Sequence, residues 1–128
     1  MRHAILAGKI VSAVSGKLNR SGSTWPGHIA LKADPKLIRK LIKKHPHLKI
    51  VLIAGTNGKT TTAKAISHAL KGSGQKVLTN SSGANLLNGI ASILVSNVSH
   101  SGKLKHTALI FEIDENSLPL ILKEIESP

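Results

Sequence analysis

The sequence predicts an α/β protein, a partial doubly wound parallel sheet preceded by a basic helical arm. Three observations lead there. Short apolar runs at 50–53, 76–79 and 107–111 read as buried strands, and the segments between them have the spacing of helices. The first run ends in two glycines, Gly55 and Gly58, and passes straight into a helical pattern. Strands joined through helices must run parallel, and their right-handed crossovers set helices on both faces of the sheet.

The elements follow in order. Residues 4–18 place Ile5, Ile10, Val11, Val14 and Leu18 at near-helical spacing with Arg2, Lys9 and Lys17 between them, an amphipathic helix. Residues 19–27 are loop chemistry, and Trp25 within them is either a packing anchor, the favoured reading, or a stacking surface. Asp34-Pro35 opens a second helix as N-cap and first helical residue, with Leu37, Ile38, Leu41 and Ile42 as its apolar stripe. His45-Pro46-His47 ends it; two histidines without a third ligand are a helix stop rather than a metal site. After the first strand a helix runs to Gly72-Ser73-Gly74. Residues 76–79 form the second strand, and Leu86, Leu87, Ile90, Ile93 and Leu94 the next helix. Residues 96–106 read as a polar loop. The third strand leads into Glu112-Ile113-Asp114-Glu115, and a last helix carries Leu118 to Ile125, with Pro119 tolerated in its first turn.

The stretch Gly55-Thr56-Asn57-Gly58-Lys59-Thr60-Thr61 carries the chemistry. A tight loop of this kind turns successive backbone N–H groups inward, and the helix behind it adds its positive dipole end. The product is a cradle for a polyphosphate, a P-loop, and these seven residues are the expected nucleotide-binding set. Lys59 would reach the outer phosphates, and the Thr60 hydroxyl would sit on magnesium. The strict pattern wants glycine where Ile53 stands, so the motif departs in one position while its strand, loop and helix context is intact. A carboxylate at the tip of the third strand suits magnesium, a hard cation that takes oxygen ligands. Glu112 lies nearest that tip, and Asp114 shares its facing two residues on. The small polar run Asn80 to Asn85 ends a strand where open α/β sheets place ligands, with a helix-capping turn as the plainer alternative.

Composition narrows the classes. A chain of 128 residues is one domain or part of one, and its 41% hydrophobic content can supply a core. No cysteine is present, which excludes disulfides and thiolate metal sites. No apolar run approaches the roughly 20 residues that span a bilayer. The first segment is too broken by charge for a signal peptide, so the cytoplasm is the expected location. Of the net charge of +12, most lies early: eleven Lys/Arg up to residue 50 face only Asp34. Residues 1–48 are therefore read as the basic arm and 49–128 as the nucleotide-binding domain. Three strands make a small sheet with an uncovered edge, so the expectation is a domain incomplete at its C-terminal end, the N-terminal piece of a longer protein.

These residues resemble the Mur ligase superfamily. The resemblance rests on Gly55 to Thr61, on Pro26-Gly27-His28-Ile29-Ala30-Leu31-Lys32 with Asp34-Pro35, on Thr79 to Leu87 and on Phe111 to Glu115. Within that superfamily the chain is most similar to the MurT-like subunits of lipid II isoglutaminyl synthases, which lack the uridine-nucleotide-binding domain that precedes the loop in other Mur ligases, and the position of the loop fits them. Folylpolyglutamate synthases place the loop similarly but tend to follow Gly-Lys with Gly-Ser.

The resemblance implies an ATP-dependent amide ligase of peptidoglycan synthesis. Such subunits phosphorylate the α-carboxylate of the stem-peptide glutamate of lipid II, and ammonia from a GatD-like glutaminase partner displaces the phosphate. ATP and magnesium are the implied cofactors, with Lys59 and Glu112 as catalytic residues, Thr60 and Glu112 on the metal, and Asn80, Ser82 and Asn85 on the substrate side. MurT-like proteins continue well beyond this length, and many carry a cysteine-ligated zinc ribbon that this chain lacks. The alternative is a non-catalytic module whose basic arm docks on an anionic surface. Nucleic acid is disfavoured, because aromatic residues for base stacking are missing; the inner face of the membrane suits either reading.

Overall fold

A computed structural model of the chain describes residues 1–17, 24–80 and 84–126. Helices α1 (Arg2–Lys17), α2 (Trp25–Ala33) and α3 (Leu37–Lys43) precede strand β1 (Lys49–Ala54). Helix α4 (Lys59–Gly72), strand β2 (Val77–Thr79), helix α5 (Leu87–Asn97) and strand β3 (Ala108–Ile113) follow. A 3-10 turn, Glu115–Ser117, leads into α6 (Leu118–Glu126). The three strands form one parallel sheet in the order β1-β3-β2. Strand β3 is central and buried along its whole length, which is why it reads as a continuous apolar run.

Right-handed crossovers in this order carry α4 over one face and α5 over the other. Alternation along β3 then divides its side chains. Leu109, Phe111 and Ile113 join Ile90, Leu94 and Val95 of α5, Leu37, Ile38 and Leu41 of α3, and Ile121 of α6 in one core. The alternate set, Ala108, Ile110 and Glu112, faces α4, where Ala63 and Ser67 are buried. The early helices share the larger core: Ala4, Ile5 and Ala30 belong to the same cluster as Phe111. Helix α2 meets α5 at Gly27, whose N–H donates to Ser92 Oγ at 2.7 Å. A side chain there would overlap the Asn88 carbonyl and Ser92, so the close approach requires glycine.

Several expectations change. Helix α2 forms where Trp25-Pro26-Gly27 read as loop, because Pro26 lies in its first turn and is tolerated there. Trp25 is 60% exposed and does not anchor the core; its ring stands edge-on to His28, with centroids 6.0 Å apart. Residues 19–23 of the expected loop, and Leu18 of the expected first helix, lie outside the described residues. Asp34 terminates α2 instead of opening α3, which starts at Leu37. Its carboxylate accepts from the Lys36 N–H at 3.2 Å and from Lys40 Nζ at 2.7 Å, and pairs with the N-terminal ammonium at 2.9 Å. Burial alone would raise its pKa, but Lys40 and the terminal ammonium outweigh that and hold it below the ordinary value. Helix α5 runs on to Asn97, and the loop after it is pinned by an antiparallel bridge between Val98 and Leu104, both buried. Leu104 N–H donates to His45 Nε2 at 3.0 Å, and His45 Nδ1 meets the Leu41 carbonyl at 2.8 Å, so both nitrogens of that ring are engaged.

Charge is divided along the strands. Lys49, Lys76, Lys105 and His106 stand at or just before the strands' N-terminal ends, while Glu112, Asp114 and Glu115 gather at the opposite end.

Candidate functional site

The glycine-flanked loop joins the C-terminal end of β1 to the N-terminus of α4. Two backbone conformations build it. Gly55 has φ 151° and Gly58 has φ 78°, both positive values that favour glycine. Gly58 is also the N-cap of α4, and its carbonyl accepts the first helical bond from Thr62 N–H at 2.9 Å. No side chain caps this helix. The first N–H groups of α4 therefore point into the loop without an intrahelical partner, the condition that suits an anion.

Lys59 and Thr60 start α4 on its loop side. The Lys59 ammonium donates to the Gly55 carbonyl and so closes the loop on itself. Thr60 Oγ1 donates to Glu112 Oε2 at 2.7 Å, joining the first turn of α4 to the tip of β3. Glu112 is only 9% exposed, and its backbone is paired with Ile53 of β1 on one side. On the other side the Asn80 amide meets it: Oδ1 accepts from Glu112 N–H at 2.8 Å, and Nδ2 donates to the Glu112 carbonyl at 2.7 Å and the Ala84 carbonyl at 2.9 Å.

A cleft of about 270 Å³ opens above the loop, lined by Gly55, Thr56, Lys59, Asp114, Glu115 and Asn116. Asp114 does not extend the strand; it caps the 3-10 turn, its Oδ1 accepting from Asn116 N–H at 3.0 Å. Turning there brings Glu115 and Asn116 over Thr56 and Lys59. The Asp-Glu-Asn run was the signal for it, since an aspartate two residues before an asparagine N–H is the Asx-turn pattern.

A family model described as the Mur ligase middle domain matches residues 53–126, which include the loop, Glu112 and the cleft. The chain belongs to the Mur ligase family. Curated relatives add detail. The "Lipid II isoglutaminyl synthase (glutamine-hydrolyzing) subunit MurT" of Staphylococcus aureus (strain COL) is 38% identical over 122 residues, 95% of this chain and 26% of that protein. The protein of the same description from strain N315 matches at the same identity and coverage. Its Streptococcus pneumoniae (strain ATCC BAA-255 / R6) counterpart is 39% identical over 122 residues, again 26% of its length. This Mur ligase chain thus spans about a quarter of the relatives it matches.

Of the residues that the sequence singled out, Gly55 to Thr61 fall together on the loop and the start of α4, with Glu112 against Thr60. Thr56, Asn57 and Gly58 are exposed. Asn80 is buried at the end of β2 and bonded to backbone. The Asn85 carbonyl accepts from Asp114 N–H at 3.1 Å. Ser82 lies outside the described residues.

Proposed function

We propose that this chain is the ATP-handling part of an amide ligase of peptidoglycan synthesis. The observation that carries the reading is the 2.7 Å bond from Thr60 to Glu112 beside an uncapped helix N-terminus. A hydroxyl and a carboxylate side by side at the mouth of an anion cradle are a hard-oxygen donor set next to the expected place of the phosphates. Magnesium commonly takes one or two protein oxygens and completes its shell with phosphate and water, so the two fit it. The metal would supply charge neutralisation on the nucleotide.

The chain's own residues then have distinct tasks. The N–H groups of residues 55–61 hold the phosphates, and Lys59 exchanges the Gly55 carbonyl for a phosphate oxygen. Thr60 and Glu112 would hold the cation. With relatives named lipid II isoglutaminyl synthase, the acceptor inferred for the whole assembly is the stem-peptide glutamate α-carboxylate of lipid II. Its oxygen attacks the γ-phosphorus while the bond to ADP breaks. Ammonia from a GatD-like glutaminase subunit then attacks the acyl carbon, and phosphate leaves. A carboxylate is a poor electrophile, and an acyl phosphate provides the leaving group. Work would take place in the cytoplasm.

Calorimetry with magnesium-ATP on this chain and its Lys59→Ala variant is the test. Loss of one charge-assisted contact should cost about 1.5–3 kcal/mol, roughly a ten- to hundredfold weaker Kd. Equal affinity in both proteins would overturn the assignment of Lys59.

A second reading concerns the membrane. Leu6, Ile10 and Val14 form an exposed ridge along α1, at 47%, 58% and 56% exposure, with Arg2 exposed and Lys9 half-exposed beside it. No described helix is long and apolar enough to cross a bilayer. An apolar ridge edged by bases suits peripheral contact with anionic lipid. Sedimentation with anionic but not neutral vesicles at low salt is expected; equal sedimentation with both would exclude it.

A further inference from the structure

Strand β2 is half the length of the strand it supports. Its three residues pair Val77 with Ala108, Leu78 with Leu109 and Thr79 with Ile110, and there the ladder stops. Strand β3 continues to Ile113, so Glu112 would present a bare N–H and carbonyl on that side, deep in the molecule. Buried backbone groups of this kind require partners. Asn80 provides both: its Oδ1 takes the Glu112 N–H, and its Nδ2 gives one hydrogen to the Glu112 carbonyl and the other to Ala84. The orientation of the amide follows from the chemistry, since a backbone N–H can only donate and the two carbonyls can only accept. With both amide hydrogens engaged, Asn80 has none left to offer a substrate.

We infer that Asn80 is a positioning residue, whose side-chain amide replaces the next peptide of β2 and locks the tip of β3 so that the Glu112 carboxylate meets Thr60. The inference rests on the reading of Glu112 as the magnesium-associated acid. Between β1 on one side and Asn80 on the other, the Glu112 backbone has no lateral freedom. Released on the Asn80 side, the strand tip can twist and carry the carboxylate away from the Thr60 hydroxyl. Cation binding should therefore suffer, while the phosphate cradle, which is built from a different connection, stays as it is.

Two measurements on the whole chain test this. Amide hydrogen exchange by NMR needs no ligand: in Asn80→Ala the Glu112 N–H should exchange at least tenfold faster, with Leu109 in the same strand little changed. Binding of a fluorescent ATP analogue is then titrated with magnesium and with EDTA. The expected result is that Asn80→Ala loses at least fivefold of the magnesium-dependent gain and changes less than twofold in EDTA. Leu94→Ala, a truncation in the core on the α5 side of the sheet, serves as a destabilised control and should retain the gain. If alanine unfolds the chain, Asn80→Asp carries the same test, because it keeps the shape but sets a carboxylate against two carbonyls. Retention of the gain in the Asn80 variants, or its equal loss in Leu94→Ala, would overturn the inference. A wild-type chain with no magnesium-dependent gain would instead overturn the metal reading of Glu112, and this inference with it.

Discussion

Among the described glycines, Gly27 is the one where an added side chain meets the closest contact. Its Cα lies against the Asn88 carbonyl and Ser92 of α5, and a methyl group there meets backbone rather than a movable side-chain end. Gly27→Ala should destabilise by about 1–3 kcal/mol, the usual cost of overpacking, read as a lower urea midpoint. His106 makes a prediction of another kind. Burial, and then the nearby Lys76 ammonium, lower its pKa below the ordinary 6.5. Below 6.5 the unfolded chain binds a proton that the folded chain resists, so this group's contribution is full above 6.5 and falls as the pH drops toward the lower, folded value. His106→Gln should flatten the dependence of the melting temperature on pH just below 6.5. At this scale the sequence was uneven. Motif chemistry is local, so the sequence could single out Lys59, Thr60 and Glu112 as candidates, and the structure brings Thr60 to Glu112. Trp25 could not be placed, because a loop aromatic has no periodicity to report which side it takes. The bonding of Asn80 was equally invisible, since it depends on β2 stopping after Thr79.

The elements that proved legible are those with a repeating pattern. The stripe Leu37, Ile38, Leu41 is buried as its spacing requires, and α4, α5 and α6 form where period and stop signals agree. Helix α2 escaped because Pro26 and Gly27 are breakers in isolation, whereas here one occupies a first turn and the other a helix crossing. The contact between α3 and α6 was likewise beyond local pattern. Arg39 donates to Glu124 Oε1 at 3.2 Å, and both side chains are largely buried, at 22% and 13% exposure. Arg39→Met strands the Glu124 carboxylate, so a loss of about 1–3 kcal/mol is expected. The double variant Arg39→Met with Glu124→Leu should recover most of it, since an apolar pair can replace an ion pair that is costly to desolvate. Equal stability of the single and double variants would show that the carboxylate finds water instead.

Across the whole molecule, the helices that read as a basic arm complete the core of the sheet: Ile5, Ala30 and Leu37 are as buried as Phe111. Composition identified the excess charge, but composition is silent on packing. A net charge of +12 on a chain of 128 residues repels itself. Raising salt from about 10 to 100 mM shortens the screening length from about 30 to about 10 Å, and the urea midpoint should rise with it. The separation of lysines from carboxylates along the strands has a practical consequence. Three of the chain's six acids, Glu112, Asp114 and Glu115, lie at one end of the strands, where Lys59 only partly offsets them, so on a negatively charged chromatographic bead or sensor chip that end should be the one turned away. The cleft at Thr56 and Lys59 would then face the flowing liquid. A layer of protein could thus be immobilised in one orientation without a tag, with every glycine-flanked loop open to the stream.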